Sequence, residues 1–186
     1  MPKAGVDQTI KIHLAARVVA GPGLTNNPDA AFITHEDKRF SGGTMQCIIV
    51  ATDGSPAANR ALDTAAKIAK ATGYELVILT IGGNISGAEL RRLAAVEGDL
   101  SKTLETSAAQ ILEQARKRAL RRGVSAARVL SGWGDPAETI IDTVEREKAN
   151  ILVVGRRGRG RLSGLLLGSV SQKLASLAPC KVMIVP

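Results

Sequence analysis

Residues Cys47-Ile48-Ile49-Val50-Ala51-Thr52-Asp53-Gly54-Ser55-Pro56 decide how this chain folds. The first five form a continuous apolar run, the pattern of a strand covered on both faces in a parallel sheet. Ser55-Pro56 then reads as an N-cap followed by proline at the first helical position, so the strand turns directly into a helix. That helix carries Ala57, Ala61, Leu62, Ala65, Ile68 and Ala69 on one face, and Gly73 stops it.

The same alternation continues to the end of the chain. Leu76–Ile81 is a second buried strand, and a long connection follows to about Gly98. A helix from about Leu100 to Arg122 has Leu104, Ala108, Ile111, Leu112, Ala115 and Ala119 as its apolar stripe. Its last turns hold Arg116, Lys117, Arg118, Arg121 and Arg122, read as a solvated helix end, with a phosphate-polymer patch as the alternative. Ala127–Ser131 is a third strand. Asp135-Pro136-Ala137-Glu138 resembles a capping box opening a helix to about Lys148. Ile151–Val154 and Val182–Val185 are the fourth and fifth strands, with a helix between them beginning near Ser169. Alternating strands and helices imply right-handed crossovers into a doubly wound parallel sheet. Ligands of such sheets bind beyond the carboxyl ends of the strands, where strand order reverses.

Composition agrees with this class and narrows the partners. The chain has 186 residues, 45% of them hydrophobic and only 2% aromatic, so Ala, Val, Leu and Ile must fill the core. A net charge of +8 admits acidic partners. With one Trp, one Tyr and two Phe, the stacking platforms of single-strand nucleic-acid sites are missing, and nucleic acid is not expected as the main partner. No stretch has the length and apolarity of a membrane helix, and no signal pattern opens the chain, so a cytoplasmic address is expected. Cys47 and Cys180 sit in strand-like runs and read as buried, inert thiols.

Residues 1–44 lack this regularity. They hold Gly21-Pro22-Gly23 and Asn26-Asn27-Pro28, and a segment from Gln8 to Ala20 that suits a short strand or a helix. They read as a weakly ordered extension ending in Ser41-Gly42-Gly43, with 45–186 as the functional domain. A second possibility is that Met45 is that domain's true start.

Two loops carry the chemistry. After the fourth strand comes Gly155-Arg156-Arg157-Gly158-Arg159-Gly160-Arg161-Leu162-Ser163-Gly164, leading through Leu165-Leu166-Leu167 to Gly168-Ser169-Val170. Glycines let backbone approach a ligand closely, a helix start at Gly168-Ser169 offers free N–H groups, and four arginines add positive charge. These features converge on a phosphate-bearing ligand. The plainer alternative is that Ser169 and Gln172 form a capping box and the arginines are solvated. After the first strand, Asp53 is placed to accept hydrogen bonds from a ribose hydroxyl or an adenine amine, or else simply to form the turn. It has no acidic neighbour in its loop of the kind a receiver-type Mg²⁺ site needs.

Gly155-x-x-Gly158, nine residues, then Gly168-Ser169 resembles the ATP-binding motif of the universal stress protein (UspA-like) family. The strand ending in Asp53-Gly54-Ser55 and the closing Pro179-Cys180-Lys181-Val182-Met183-Ile184-Val185 are similar to that family too, so the resemblance covers 45–186. It implies a five-stranded parallel sheet of order 3-2-1-4-5 with helices on both faces, like the adenine nucleotide alpha hydrolases. It also implies ATP, with or without Mg²⁺, at the sheet's carboxyl edge. Asp53 would hold ribose or adenine, Ala51 and Thr52 would line the base pocket, and Ile81 and Val154 would wall it. Gly155, Gly158, Gly168, Ser169 and Val170 would meet ribose and phosphates, with Arg157 and Arg159 neutralising charge. A homodimer through the last strand is implied as well. Lys181 stands where the family often has a second proline, which puts the start of the last strand in doubt. In the implied order the fourth strand separates those bearing Cys47 and Cys180, about 9–10 Å apart. That is too far for a disulfide.

The function expected is an ATP-binding stress-response or regulatory protein, with no catalytic residue and no metal site of its own. Residues 45–186 contain no His, and the glycine loop contains no carboxylate. One alternative is an interaction module of this fold that binds no nucleotide, although such relatives usually lose the glycines kept here. Another is an ATP pyrophosphatase-type enzyme. Those use Ser-Gly-Gly-x-Asp-Ser after the first strand, where this chain has Thr52-Asp53-Gly54-Ser55.

Overall fold

A computed structural model describes residues 17–19, 32–35, 46–83, 92, 98–160 and 166–186. Its elements, in chain order, are β1 (Arg17–Val19), β2 (Phe32–His35), β3 (Cys47–Ala51), α1 (Pro56–Thr72), β4 (Glu75–Ile81), α2 (Gly98–Arg121), β5 (Ala127–Gly132), α3 (Pro136–Arg146), β6 (Ile151–Gly155), α4 (Ser169–Leu177) and β7 (Lys181–Val185). Local chemistry sets the helix ends. The Ser55 hydroxyl accepts the Ala58 N–H at the start of α1, and Gly73 closes that helix at φ +74°. Asp135 caps α3 by accepting from the N–H groups of Ala137 and Glu138. β7 starts at Lys181 itself, so a lysine in place of proline does not delay the strand.

Strands β5-β4-β3-β6-β7 run parallel, which is the expected 3-2-1-4-5 order. β1 and β2 join the β5 edge antiparallel, with Phe32 opposite Gly132 and His35 opposite Val129, so the sheet has seven strands. Arg17–Val19 lies inside the Gln8–Ala20 segment and is strand, whereas Phe32–His35 carried no expectation, because four residues are too few to show a period. The other residues of 1–44, and most of the connection between β4 and α2, lie outside the described residues.

Period-two alternation splits the apolar strands between two cores. Ile48 and Val50 face Ala61, Leu62 and Ala65 of α1 and Leu112, Ala115 and Ala119 of α2. Cys47 and Ile49 face Ile140 and Val144 of α3 and Leu174 of α4. Ile48, Ile49 and Val50 are fully buried, and each such side chain contributes roughly 1.5–3 kcal/mol on transfer from water. Alanine in α1 and α2 substitutes for missing aromatic bulk by letting the helices sit close to the sheet. The basic end of α2 is partly engaged, since Arg118 and Arg122 both pair with Asp63 of α1. Both cysteines are free. Among the described residues, no helix is long and apolar enough to cross a membrane.

Candidate functional site

From β3 the chain crosses to β4 on one side and later lays β6 on the other, so the loops at their carboxyl ends part above β3. The opening is a cleft of about 380 Å³, within the range of small-molecule sites. Ala51, Thr52, Asp53, Ile81, Val154, Gly155, Arg157, Gly158, Arg159, Gly168, Ser169 and Val170 all line it. Tertiary structure thus brings these twelve residues together, while Arg156 of the same loop does not line the cleft. Arg161, Ser163 and Gly164 of the same loop lie outside the described residues.

The cleft has an apolar side and a polar rim. Leu79, Ile81, Ile140, Val154 and Val170 lie at the top of the core between the sheet and helices α3 and α4. On the rim, Asp53 is held from two directions. Its Oδ1 accepts the Ser55 N–H at 2.9 Å, and its Oδ2 accepts the Arg159 N–H at 2.9 Å. Asp53 therefore takes the turn-forming role and also ties the glycine loop to this turn.

Two of the glycines are explained by crowding. A Cβ on Gly158 would lie 2.6 Å from Asp53 Oδ2, and one on Gly155 would lie 2.8–3.0 Å from backbone atoms of Ala57 and Ala58. Gly158 lets the loop close over Asp53. Gly155 lets β6 end against the first turn of α1.

The start of α4 corrects one expectation. Gly168 is the N-cap and makes no side-chain cap, so Ser169 and Gln172 do not form a capping box. Ser169 falls at the first helical position, one residue too late to bond back to its own first turn. The first-turn N–H groups are left without a side-chain cap at the cleft, where a helix dipole favours negative charge. Nearby, the Ser171 hydroxyl donates to the Gly155 carbonyl at 2.9 Å and ties α4 to the end of β6. Arg157 Nε is buried with no hydrogen-bond partner among the described residues. A guanidinium is permanently charged and donates only, so a bound anion could serve as this atom's acceptor.

The sequence reading missed Ala58, Leu79, Pro136, Ile140, Gly160, Leu167, Ser171 and Gln172, which also line the cleft. Leu79 was within reach, because it shares the face of Ile81 two residues on. Pro136 and Ile140 were not, since only the packing of α3 over the sheet brings the loop after β5 to this edge. Asp53 is the one carboxylate among the lining residues, and among the described residues no group of three or more His, Cys, Asp or Glu could hold a metal.

Comparison with known proteins agrees with the glycine spacing and the sheet order. The model of the universal stress protein family matches residues 45–186. Universal stress protein YxiE of Bacillus subtilis is 33% identical over 144 residues, covering 74% of this chain and 97% of its own length. Universal stress protein Rv1636 of Mycobacterium tuberculosis is 32% identical over 140 residues, covering 74% of this chain and 94% of its own length. Among solved structures, a universal stress protein in complex with cAMP superposes with a TM-score of 0.61 at 32% identity, over 77% of this chain and 99% of its own. Universal stress protein UspA from Lactobacillus plantarum shares the fold, with a TM-score of 0.66 at 22% identity over 78% of this chain and 100% of its own. With the family model matching the whole patterned region and these relatives aligned over nearly their full length, this chain belongs to the universal stress protein family.

Proposed function

We propose that the cleft binds an adenine nucleotide, ATP foremost, and that the protein acts in stress response or regulation through nucleotide-dependent conformation or partner binding rather than catalysis. The observation that carries this reading is one cleft with an apolar wall on one side and, on the other, an uncapped helix start beside Arg157, whose Nε has no partner among the described residues. That combination suits a planar, weakly polar ring joined to phosphates. A relative 32% identical to this chain is described in complex with cAMP, which supports the same ligand class.

In this reading Ile81 and Val154 flank the base beside Ala51 and Thr52, and Asp53 serves the ribose or the adenine edge. Backbone N–H groups of Gly155, Gly158, Gly168, Ser169 and Val170 serve ribose and phosphates, and Arg157 and Arg159 offset the charge. A Mg²⁺ site built by the protein does not fit. Octahedral Mg²⁺ needs oxygen ligands, and the one carboxylate lining the cleft among the described residues already accepts two backbone N–H groups. Mg²⁺ would enter only on the phosphates. Among the described residues no second acid or histidine lines the cleft to activate water, so turnover is not expected.

Residues 45–186 are the functional domain in this proposal and 1–44 an appendage to it. β7 is an edge strand with Met183 39% exposed, which suits pairing with β7 of a second copy. Two free cysteines suit a reducing compartment such as the cytoplasm.

The test begins with protein purified without added nucleotide. Any ligand is released by heat and identified, and ATP is then titrated into stripped protein beside a Gly158→Val, Gly168→Val variant. Binding by wild type but not by the folded variant supports the site. A folded wild type that ignores ATP, ADP and AMP overturns it, and leaves the interaction-module reading in its place.

A further inference from the structure

Trp133 is the chain's single tryptophan, is fully buried, and does not itself line the cleft. It follows β5 directly, and the glycines on either side of it tie the loop after β5 to the loop after β4. The Gly82 N–H donates to the Gly132 carbonyl at 2.9 Å, and the Gly134 N–H donates to the Gly83 carbonyl at 3.1 Å. Between these bonds the indole is pressed against Gly82. A Cβ built there would stand 2.3 Å from Cη2, 2.4 Å from Cζ3 and 2.7 Å from Cζ2 of the ring. No residue other than glycine fits beneath an unmoved Trp133. Ala108 and Leu104 of α2 pack against the same side chain. The Trp133 carbonyl accepts the Thr139 hydroxyl of α3 at 3.4 Å.

Two of these anchors, Gly82 and Thr139, sit close in sequence to residues that line the cleft. Ile81 immediately precedes Gly82, and Pro136 and Ile140 flank Thr139 on α3. Trp133 therefore links the end of β4, the start of α3 and the side of α2.

We propose that Trp133 is a positioning residue for the nucleotide base: it sets the spacing between Ile81 and the Pro136–Ile140 segment, and so the fit of the ring between them. This rests on the nucleotide reading above. Because the ring acts on the base-facing wall and not on the glycine loop, its loss weakens ATP and AMP by the same factor. A defect spread over the whole domain lowers thermal stability without this pattern.

The experiment titrates ATP and AMP into wild type, Trp133→Leu, Trp133→Phe and Gly82→Ala, with a thermal melt of each. Kd is measured well below the lowest melting temperature. Folded Trp133→Leu is expected to bind both nucleotides about 10-fold more weakly, the scale of coupling between contacting residues. Trp133→Phe, which keeps a ring, is expected to recover most of that loss. If Trp133→Leu does not fold, Gly82→Ala decides, because its methyl must displace the ring and is expected to weaken both nucleotides alike. Wild-type Kd in folded Trp133→Leu, or in folded Gly82→Ala where Trp133→Leu does not fold, overturns the proposal while leaving nucleotide binding intact. A wild type that binds neither nucleotide overturns the nucleotide reading, and this inference with it.

Discussion

The carboxylate of Asp53 accepts the backbone N–H of Arg159 at 2.9 Å, across 106 residues of sequence. This bond holds the glycine loop after β6 down onto the turn after β3, and Gly158 is the residue whose missing side chain makes room for it. Asp53→Ala removes the acceptor for both Arg159 and Ser55. We expect a stability loss of about 1.5–3 kcal/mol, typical of hydrogen bonds to a charged group, together with a loss of ATP affinity. Chemical denaturation and calorimetric titration measure the two separately; unchanged values in both would show that the bond holds nothing in solution.

Gly158→Ala separates the loop contact from the carboxylate. Its methyl meets only the far end of the Asp53 side chain, which can turn away, so the stability loss should not exceed that of Asp53→Ala. ATP affinity should fall all the same, because Asp53 leaves its place. Normal binding by this variant would mean that Asp53 does not need its observed position.

Gly155→Ala should behave in the opposite way. The new methyl meets backbone atoms of Ala57 and Ala58 at 2.8–3.0 Å, and backbone in the first turn of a capped helix has little room to yield. We expect a loss of about 2 kcal/mol, in the range of overpacked cores. A melting temperature equal to wild type would rule out the close approach of β6 and α1.

Asp63 makes stability depend on acid. Hydrogen bonding from Arg118, reinforced by Arg122, holds its carboxyl down to about 2 from an ordinary 3.8. A carboxyl lowered in the fold stabilises fully above its unfolded pKa, and that stabilisation is lost as pH falls from about 4 to about 2. Because both arginines are partly exposed, Asp63→Asn should cost only about 1 kcal/mol at neutral pH. Melts of wild type and variant should differ at pH 7 and converge near pH 2.

Cys47 should resist thiol reagents while the fold persists. Burial, with smaller contributions from Glu75 and Glu147, pushes its thiol up to about 11, so the reactive thiolate is scarce at pH 8. Cys180 is also raised by burial but is less enclosed. Labelling by an aromatic disulfide reagent at pH 8 should reach Cys180 first and Cys47 only on unfolding. Equal native rates would contradict the placement of β3 at the centre of the sheet.

Periodicity and capping are local, so the strands from Cys47 onward, the helices and their stops could be read directly from the residues. Glycine spacing and an acid after the first strand marked the binding edge in the same way, because close approach and anion binding need particular residue types at particular offsets. What could not be read was pairing over distance. Ser169 followed by Gln172 looks locally like a capping box, but the chain enters α4 one residue earlier and leaves its first turn open. Arg17–Val19 and Phe32–His35 become strands by hydrogen bonding at the β5 edge, a stabilisation invisible in three or four residues. Pro136, Ile140 and the clasp of Trp133 on Gly82 belong to the cleft's surroundings only because α2 and α3 pack on the sheet. The residues alone settled which segments are buried strands or amphipathic helices, since burial follows local pattern. Folding settled which side chains meet across the cleft, since that depends on the sheet order and on where each helix comes to rest.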